Sequence, residues 1–441
     1  MNRTVPFKFI HCADLHLATP FEGVFDKVPP QIGTALREAT FQAFEKVIQA
    51  AVEHQVDFVV VAGDVYDGVR HSTRAQIRFA EALEILDSRE IKSVIAHGNH
   101  DPLEAWYAQY RLPASVHRFG DQAVECVPIM KDGQTIANIY GISHGKYNVE
   151  ENLAKHFTTV EPAVFSVGVL HCNVGNLNDD RYAPCTLEDL RTAGIDYWAL
   201  GHVHTRKILQ DKRPCVIYPG NTQGVSIREI GPRGCCLVAV DEHRNVVSTF
   251  IDTDIIRWEK REVSINEMTE LHDVMMALRK YKEEVRGQAE GRGTILRVGL
   301  IGRGPLDSVL RGTSKVMPLS LEEDLMAQLR LNEEKRSDFV WLESLQVQTR
   351  PAIDIEVRRT TPDFVGDFLR RSAEMRESLA GLGPSEQREA LQKVISGFLA
   401  KRQEFNKISF MLEQMTADDL MGLLEEAETL GLNLLVEGEE T

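Results

Sequence analysis

Residues 7–17 have the sequence FKFIHCADLHL, in which an apolar stretch is followed at once by Asp14 and His16. The apolar stretch predicts a buried β-strand over residues 7–12. A carboxylate and an imidazole directly beyond a strand are side chains that bind metal ions. The same arrangement recurs along the first 255 residues, and it indicates the class of fold.

Three more clusters of metal-binding side chains each follow a predicted strand: Gly63-Asp64, Gly98-Asn99-His100-Asp101 and Gly201-His202-Val203-His204. His171 closes a further predicted strand. Ligands of open α/β sheets bind beyond the carboxyl ends of the strands, so these loops can converge. Each cluster is weak by itself, because a strand-terminal Asp is often a helix N-cap and a lone histidine is usually structural. Together, in this order, they predict a dinuclear metal centre.

Short apolar segments alternate with amphipathic ones over residues 1–258. The predicted strands are 7–12, 57–62, 93–97, 136–140, 164–170, 198–200 and 216–218. Between them, apolar residues at spacings of three and four predict helices whose apolar faces cover the sheet: Phe41, Phe44, Ile48 and Ala51 form one set, and Phe79, Leu83 and Leu86 another. We therefore expect a layered α/β domain at 1–258.

The remainder of the chain predicts two smaller regions. A helix at 268–278 and strands at 294–301 and 339–349 predict a β-α-β cap domain at 259–350. Thr361-Pro362 suits a helix start, so 351–441 is predicted to be a helical C-terminal region.

Two charged stretches in these regions each allow two interpretations. Residues 279–315 hold nine basic and four acidic side chains, which suits a solvated helix face or a contact with nucleic acid. Residues 413–441 hold nine acidic and no basic side chains, which suits a solvated helix face or a partner docking site.

Composition excludes several classes of protein. The net charge of −16 has the wrong sign for binding nucleic acid by bulk electrostatics. No apolar run approaches the roughly 20 residues that span a bilayer, and the N-terminus does not resemble a secretory signal. Seven scattered cysteines indicate reduced thiols rather than a disulfide framework or a thiolate zinc site. We expect a cytoplasmic enzyme without a membrane segment.

The order D-x-H, G-D, G-N-H-[DE], H and G-H-x-H over about residues 7–255 resembles the calcineurin-like metallophosphoesterase superfamily. The resemblance implies a sheet sandwich flanked by helices and two divalent ions. Manganese is favoured, with iron, zinc and magnesium as alternatives. It further implies two sets of ligands that share Asp64 as the bridge: Asp14, His16, Asp64 and His204 for one ion, and Asp64, Asn99, His171 and His202 for the other.

The resemblance also implies the catalytic roles. His100 would contact the scissile phosphate and protonate or stabilise the leaving oxygen. Asp101 would orient the His100 ring, and a metal-bound hydroxide would be the nucleophile. These roles describe a metal-dependent phosphoesterase, a hydrolase.

Other residues indicate a branch of the superfamily. Gly63-Asp64-Val65-Tyr66-Asp67-Gly68 lacks the arginine of the protein phosphatase pattern G-D-x-x-D-R-G. Residues 9–17 and 196–204 are similar to SbcD-type DNA-repair exonucleases, in particular to the bacterial YhaO proteins. The resemblance implies DNA as substrate, a cap that holds DNA, a helical tail that docks on an SbcC-type coiled-coil ATPase, and a homodimer. Asp67 departs from archaeal and eukaryotic relatives, which have a second catalytic histidine there.

Three hypotheses follow. The first is a DNA exonuclease or endonuclease of DNA repair. The second is a small-molecule or nucleotide phosphodiesterase of the same superfamily, in which the cap only covers the pocket. The third is a metal-binding scaffold whose function lies in the partner interaction of its tail, and the complete set of ligands makes it the least favoured.

Overall fold

The structure, a computed structural model of the 441-residue chain, describes residues 4–24, 27–67, 72–105, 111–175, 181–312, 321–353 and 355–380, with scattered positions between 382 and 435. The acidic run at 413–441 lies almost wholly outside the described residues. Within the part that is described, no helix combines the length and the apolar character needed to cross a bilayer.

The first part of the chain alternates strands and helices as predicted. Its elements, in chain order, are β1 (Phe7–Cys12), α1 (Pro30–Glu53), β2 (Phe58–Ala62), α2 (Thr73–Asp87), β3 (Lys92–Ala96), β4 (Val116–Arg118), β5 (Glu125–Lys131), β6 (Gln134–Gly141), β7 (Phe165–His171), α3 (Leu187–Thr192), β8 (Tyr197–Gly201), β9 (Lys207–Gln210), β10 (Cys215–Tyr218), β11 (Gly234–Val240), β12 (Val246–Asp252) and β13 (Ile256–Ser264).

Two six-stranded sheets form the core of this first part of the chain. One has the order β12-β11-β1-β2-β3-β4 and the other β5-β6-β7-β8-β10-β9. Strands β1, β2 and β3 run parallel in the first sheet, as do β6, β7, β8 and β10 in the second. The carboxyl ends of parallel strands meet at one edge of a sheet, and there the loops after β1, β2, β3, β7 and β8 begin.

The two sheets pack face to face because their strands bury both faces. In β2, Phe58, Val60 and Ala62 belong to the core between the sheets, while Val59 and Val61 pack under α1 and α2. Side chains alternate between the faces of a strand, so a strand covered on both sides is apolar throughout. A third core covers the outer face of the second sheet. The prediction of a layered α/β sandwich flanked by helices is confirmed.

The second part of the chain contains α4 (Leu271–Gln288), β14 (Gly293–Ile301), β15 (Arg303–Gly304), α5 (Asp307–Leu310), α6 (Leu321–Arg330), β16 (Val340–Val347), β17 (Arg350–Pro351), α7 (Ile355–Thr360) and α8 (Phe364–Ala380). Strands β13, β14 and β16 form a three-stranded sheet, and α4 connects the first two. This is the predicted β-α-β pattern with one further strand.

Contacts between Cα atoms divide the chain into two compact units. The first comprises Met1–Val263, Met275–Gly299 and Glu322–Gln346, and the second Ser264–Val274, Leu300–Leu321 and Val347–Thr441. The predicted cap, 259–350, contributes to both units. The boundaries 1–258, 259–350 and 351–441 therefore stay a prediction.

Most cations of the basic segment 279–315 form ion pairs in the described part of the chain. The carboxylate of Glu333 accepts from Nζ of Lys282 at 2.7 Å and from Nη2 of Arg286 at 2.8 Å. Arg297 contacts Glu343, and Arg311 contacts Asp307. Much of the positive excess is thus neutralised by carboxylates, several of them outside the segment.

The start of α8 differs from the prediction. Thr361-Pro362 was expected to begin the helix, whereas α8 begins at Phe364. A side-chain oxygen of Asp363 accepts a hydrogen bond from the backbone N–H of Gly366 at 2.7 Å. Asp363 therefore caps the helix, since carboxylates satisfy the free N–H groups of the first turn.

Candidate metal centre

The loop after β1 is joined to the loop after β2 by backbone hydrogen bonds. The N–H groups of Asp14, His16 and Leu17 donate to the carbonyl oxygens of Gly63, Asp64 and Val65 at 3.0, 3.0 and 2.9 Å. The backbone N–H of His202, after β8, donates to both carboxylate oxygens of Asp14 at 3.0 and 3.2 Å. Loops from both sheets therefore meet at the predicted site.

One set of donor atoms gathers around His16. Its Nε2 lies 3.1 Å from Nε2 of His204 and 3.8 Å from Oδ2 of Asp64. Ligand atoms of Asp14, His16 and His204 lie within 4.8 Å of one another. Two imidazole lone pairs that face each other repel unless a cation or a proton lies between them.

A second set gathers around Asn99. Its Oδ1 lies 3.0 Å from Nε2 of His171 and 3.1 Å from Nδ1 of His202. Nδ1 of His171 donates to the carbonyl oxygen of Ala62 at 3.0 Å, which leaves the Nε2 lone pair for the site. Oδ2 of Asp64 lies 3.3 Å from that Nε2, so the Asp64 carboxylate stands between the two sets.

Glycines precede the ligands because the site is crowded. A Cβ at Gly98 would lie 2.2 Å from Oδ1 of Asp64, and one at Gly63 would lie 2.2 Å from Nδ1 of His171. The glycines of the G-D and G-N-H-D motifs are therefore required by close approach of the ligands rather than by turn geometry alone.

Several ligand residues have left-handed backbone conformations. The φ angles are 51° at Asp14, 43° at His16, 51° at Asp64 and 103° at His202. Residues with a Cβ adopt positive φ at a cost of order 1–3 kcal/mol each, and such residues cluster at functional sites. The surrounding fold therefore holds these side chains in place.

Burial and mutual charge shift the pKa values of the centre in opposite directions. Burial alone would lower the pKa of His171, but the nearby carboxylates of Asp64 and Asp14 raise it to about 9. Burial would likewise lower the pKa of His204, whereas its bond to Glu229 raises it to about 9. Burial, together with repulsion from neighbouring histidines, lowers the pKa of His16 and of His202 to about 3.

His100 lies at the solvent side of the centre, with its side chain 46% exposed. Its ring centroid is 5.0 Å from that of His16, and its backbone N–H donates to Oδ1 of Asp64 at 2.8 Å. Nδ1 of His100 lies 3.5 Å from Oδ1 of Asp67. The hydrogen bond to Asp67 raises the pKa of His100.

The role predicted for Asp101, orientation of the His100 ring, is wrong. Its carboxylate accepts from the backbone N–H groups of Val65 and Gly98, at 2.9 and 2.8 Å, and contacts Nδ1 of His97 at 3.0 Å. Asp101 thus holds the loops after β2 and β3 together. Asp67 is the carboxylate beside His100, because the loop after β2 carries it over the ring.

The donor set fits divalent cations of the first transition row. Carboxylates, imidazoles and one amide oxygen are ligands suited to manganese, iron or zinc, and no cysteine is among the predicted ligands. The structure brings together all residues predicted as ligands: Asp14, His16, Asp64, Asn99, His171, His202 and His204. The division of these residues between two ions stays a prediction.

Two residues outside the motifs contact histidines of the centre. Nδ1 of His204 lies 2.5 Å from Oε1 of Glu229, a buried carboxylate 25 positions further along the chain. The ring of Tyr182 lies 4.8 Å from that of His202. No motif includes Glu229, so a single sequence carries no signal for it.

Metal binding is expected to release protons at neutral pH. His171 and His204 have a pKa raised to about 9, so both are protonated at pH 7 without metal, and binding must displace those protons. The apparent affinity for Mn²⁺ should rise with pH up to about 9. Calorimetric titration at pH 7, in buffers of different ionisation enthalpy, should count about two protons released. Binding without proton release at pH 7 would contradict this expectation.

Comparisons with known proteins agree with the geometry. The model of the calcineurin-like phosphoesterase family matches residues 7–206, and that of the middle domain of metallophosphoesterase YhaO matches residues 258–350. The uncharacterized metallophosphoesterase YhaO of Bacillus subtilis is 35% identical over 361 residues, which are 82% of this chain and 86% of that protein.

More distant relatives include DNA double-strand break repair proteins named Mre11. The protein of Archaeoglobus fulgidus is 28% identical, over 50% of this chain and 51% of that protein. The protein of Aeropyrum pernix is 22% identical, over 52% of this chain and 56% of that protein. The similarity to YhaO covers most of both chains and exceeds a third of the aligned residues. The chain belongs to the calcineurin-like phosphoesterase family and is a metal-dependent phosphoesterase.

Proposed function

We propose that the protein is a nuclease that hydrolyses phosphodiester bonds of DNA with two divalent ions. Manganese is the favoured metal. The observation that carries this proposal is the position of the Asp64 carboxylate between two donor sets, 3.8 Å from Nε2 of His16 and 3.3 Å from Nε2 of His171. Asp14, His16 and His204 would complete one set, and Asn99, His171 and His202 the other. Similarity to the Mre11 proteins supports DNA as the substrate.

Two divalent ions about 3.5–4 Å apart can clamp the attacking and the leaving oxygen of an in-line phosphoryl displacement. The chain's own residues prepare the site for this chemistry. The N–H groups of His202 and His100 hold the Asp14 and Asp64 carboxylates, so little reorganisation is needed when the substrate binds.

His100 is the proposed proton donor. Its side chain is 46% exposed beside the donor sets, so a phosphodiester in the centre can reach it. Asp67, 3.5 Å from Nδ1, favours the protonated ring, which can give a proton to the leaving oxygen. Asp67 thus occupies the place near His100 where the archaeal and eukaryotic relatives are expected to have a second histidine.

A phosphodiester fits this site better as a substrate than the phosphate monoester of a phosphoprotein does. The sequence at 63–68 lacks the arginine with which protein phosphatases bind a phosphate monoester. The net charge of the chain is −16, and ion pairs neutralise Lys282, Arg286 and Arg297 of the basic segment 279–315, which weakens the attraction of that segment for DNA. We therefore propose that a partner, a coiled-coil ATPase of the SbcC type docked on residues 351–441, supplies most of the DNA affinity.

Further parts of the proposal follow from the resemblance. A role in DNA repair, DNA contact by the cap at 259–350, a homodimer and a cytoplasmic location stay predictions.

The proposal predicts metal-dependent cleavage of DNA. Purified protein should cut end-labelled linear duplex or single-stranded circular DNA with Mn²⁺ and not with chelator. Asn99→Ala removes the oxygen shared by His171 and His202, and His100→Ala removes the proton donor. Each variant should lose at least about 10²-fold of the cleavage rate, the contribution typical of one catalytic group.

A matched control is His117→Ala, which removes a histidine paired with Glu125 at 2.8 Å, away from the centre. This variant should cut at the wild-type rate. If no DNA is cut but a chromogenic phosphodiester is hydrolysed, the substrate is a small molecule or a nucleotide, or the ATPase partner is required. Adding the partner separates these outcomes. Equal rates for wild type and both site variants would contradict the assigned centre.

A further inference from the structure

The loop between β10 and β11 places a buried carboxylate beside the last histidine of the G-H-x-H motif. Glu229 is 8% exposed, and its Oε1 lies 2.5 Å from Nδ1 of His204. A carboxylate oxygen can only accept here, so the His204 proton is on Nδ1. Nε2 of His204 is then the nitrogen left to bind an ion, and it faces Nε2 of His16 at 3.1 Å.

Glu229 is itself held in place by the same loop. Oε1 also accepts from Nδ2 of Asn221 at 3.0 Å. Oε2 accepts from the backbone N–H groups of Val225 and Ser226 at 2.7 and 3.2 Å. These three hydrogen bonds from the loop fix the two oxygens, so the carboxylate can hold an imidazole in one orientation.

The loop also holds the backbone of His204. The carbonyl oxygen of His204 accepts from the N–H of Asn221 at 3.1 Å and from Nη1 of Arg233 at 2.5 Å. Gly220 has φ +81°, and a Cβ there would lie 2.7 Å from that oxygen. Ring and main chain of His204 are therefore fixed by one segment, 220–233.

The other ligand histidines have no such partner among the described residues. Nδ1 of His171 donates to the carbonyl oxygen of Ala62 at 3.0 Å, and the nearest carboxylate oxygen, Oδ1 of Asp14, lies 3.8 Å away, beyond hydrogen-bonding distance. In the described part of the chain, no carboxylate is hydrogen-bonded to His16 or His202 at the ring nitrogen that faces away from the donor sets. A charged partner orients an imidazole and makes it a stronger ligand, and its loss typically costs 10- to 100-fold in metal affinity.

We infer that Glu229 is a positioning residue that fixes the ring and the tautomer of His204 for the ion held with His16 and Asp14. The inference rests on the proposed division of the ligands between two ions. It makes the two ions unequal, because Glu229 supports one donor set and leaves the set around Asn99 unchanged.

The test measures Mn²⁺ binding to the full-length protein without DNA, by electron paramagnetic resonance and by calorimetry. Glu229→Gln keeps the shape of the side chain and removes its charge. It should weaken one of the two Mn²⁺ sites by 10- to 100-fold and change the other by less than threefold. With a chromogenic phosphodiester, the Mn²⁺ concentration for half-maximal activity should rise, and the maximal rate should return at saturating Mn²⁺.

Two further variants make the test specific. Glu343→Gln is the control, because the Glu343 side chain is 11% exposed, close to the 10% of the Glu229 side chain, and it binds Arg297 instead of a metal ligand. It should leave both Mn²⁺ sites unchanged. Glu229→Asp keeps the charge but shortens the side chain, so it should weaken the same site as Glu229→Gln.

Unchanged affinity at both sites, or equal weakening of both, would overturn the inference. Loss of the fold in both Glu229 variants, judged by thermal unfolding without metal, would make the role structural and overturn it as well. Wild-type protein that binds no Mn²⁺ overturns the ligand assignment together with the inference. Wild-type protein that binds two Mn²⁺ ions and cuts no DNA overturns only the proposed substrate.

Discussion

An Asp64→Asn variant is expected to lose at least about 10³-fold of the phosphodiesterase activity, or about 4 kcal/mol of transition-state stabilisation. Its carboxylate lies between the donor sets, 3.3 Å from Nε2 of His171 and 3.8 Å from Nε2 of His16. Oδ2 faces both donor sets, while Oδ1 accepts from the N–H of His100. With its amide oxygen on that N–H, asparagine would turn an uncharged NH₂ group toward the donor sets, and this group cannot bind two cations. The measurement is turnover of a chromogenic phosphodiester at saturating Mn²⁺, together with the Mn²⁺ content per chain.

The substitution should preserve the fold. Asparagine tolerates the φ of 51° at this position, and its oxygen can still accept from the N–H of His100. Asp87→Asn, at the exposed end of α2, is the matched control and should keep wild-type activity. An Asp64→Asn protein that binds two Mn²⁺ ions and retains more than a tenth of the activity would contradict the bridging role.

Gly201→Ala is expected to destabilise the protein by about 3 kcal/mol or more. A Cβ at this position would lie 1.7 Å from the carbonyl oxygen of Ala62 and 2.8 Å from Nδ1 of His171. Ala62 and Gly201 end β2 and β8, which belong to different sheets, so the clash would force the sandwich apart at the metal centre. Urea unfolding without metal measures the loss.

A glycine in open space provides the comparison. Gly287, near the end of α4, has no heavy atom within 4 Å of a Cβ built on it. Gly287→Ala should leave stability unchanged or raise it by up to about 1 kcal/mol, because alanine favours the helix. If Gly201→Ala unfolds at the same urea concentration as Gly287→Ala, the close approach of the two strands is not rigid.

Several strands that the sequence predicted are buried on both sides. β2 and β7 are buried at every position, and their ends were predicted to within one residue. β11 was missed, although it is apolar and mainly buried. β5 and β12 were missed, since they lie at sheet edges and alternate between half-buried and exposed residues. Polar residues on the open face of an edge strand remove the composition that signals a strand.

For the candidate site, the sequence predicted the metal ligands but not the residues that hydrogen-bond to them. Ligands placed at the ends of strands could be found, because motif spacing and strand position are both local properties of the sequence. The partners of those ligands could not. Asp101 bonds to His97 and to two loops instead of His100, and Glu229 reaches His204 from a loop that no motif marks. Such contacts depend on how loops pack, which a single sequence does not encode locally.

The meeting of loops from both sheets also affects how the protein is made. His16 and His204 are 188 positions apart, yet their Nε2 atoms are 3.1 Å apart. Contacts of such separation form late in folding, because closing a long loop costs chain entropy before the contact repays it. A nascent chain therefore completes the donor set only after His204 has left the ribosome. Ions that bind only the finished domain stabilise it by mass action, so a shortage of the bound metal would leave newly synthesised protein more open to proteolysis.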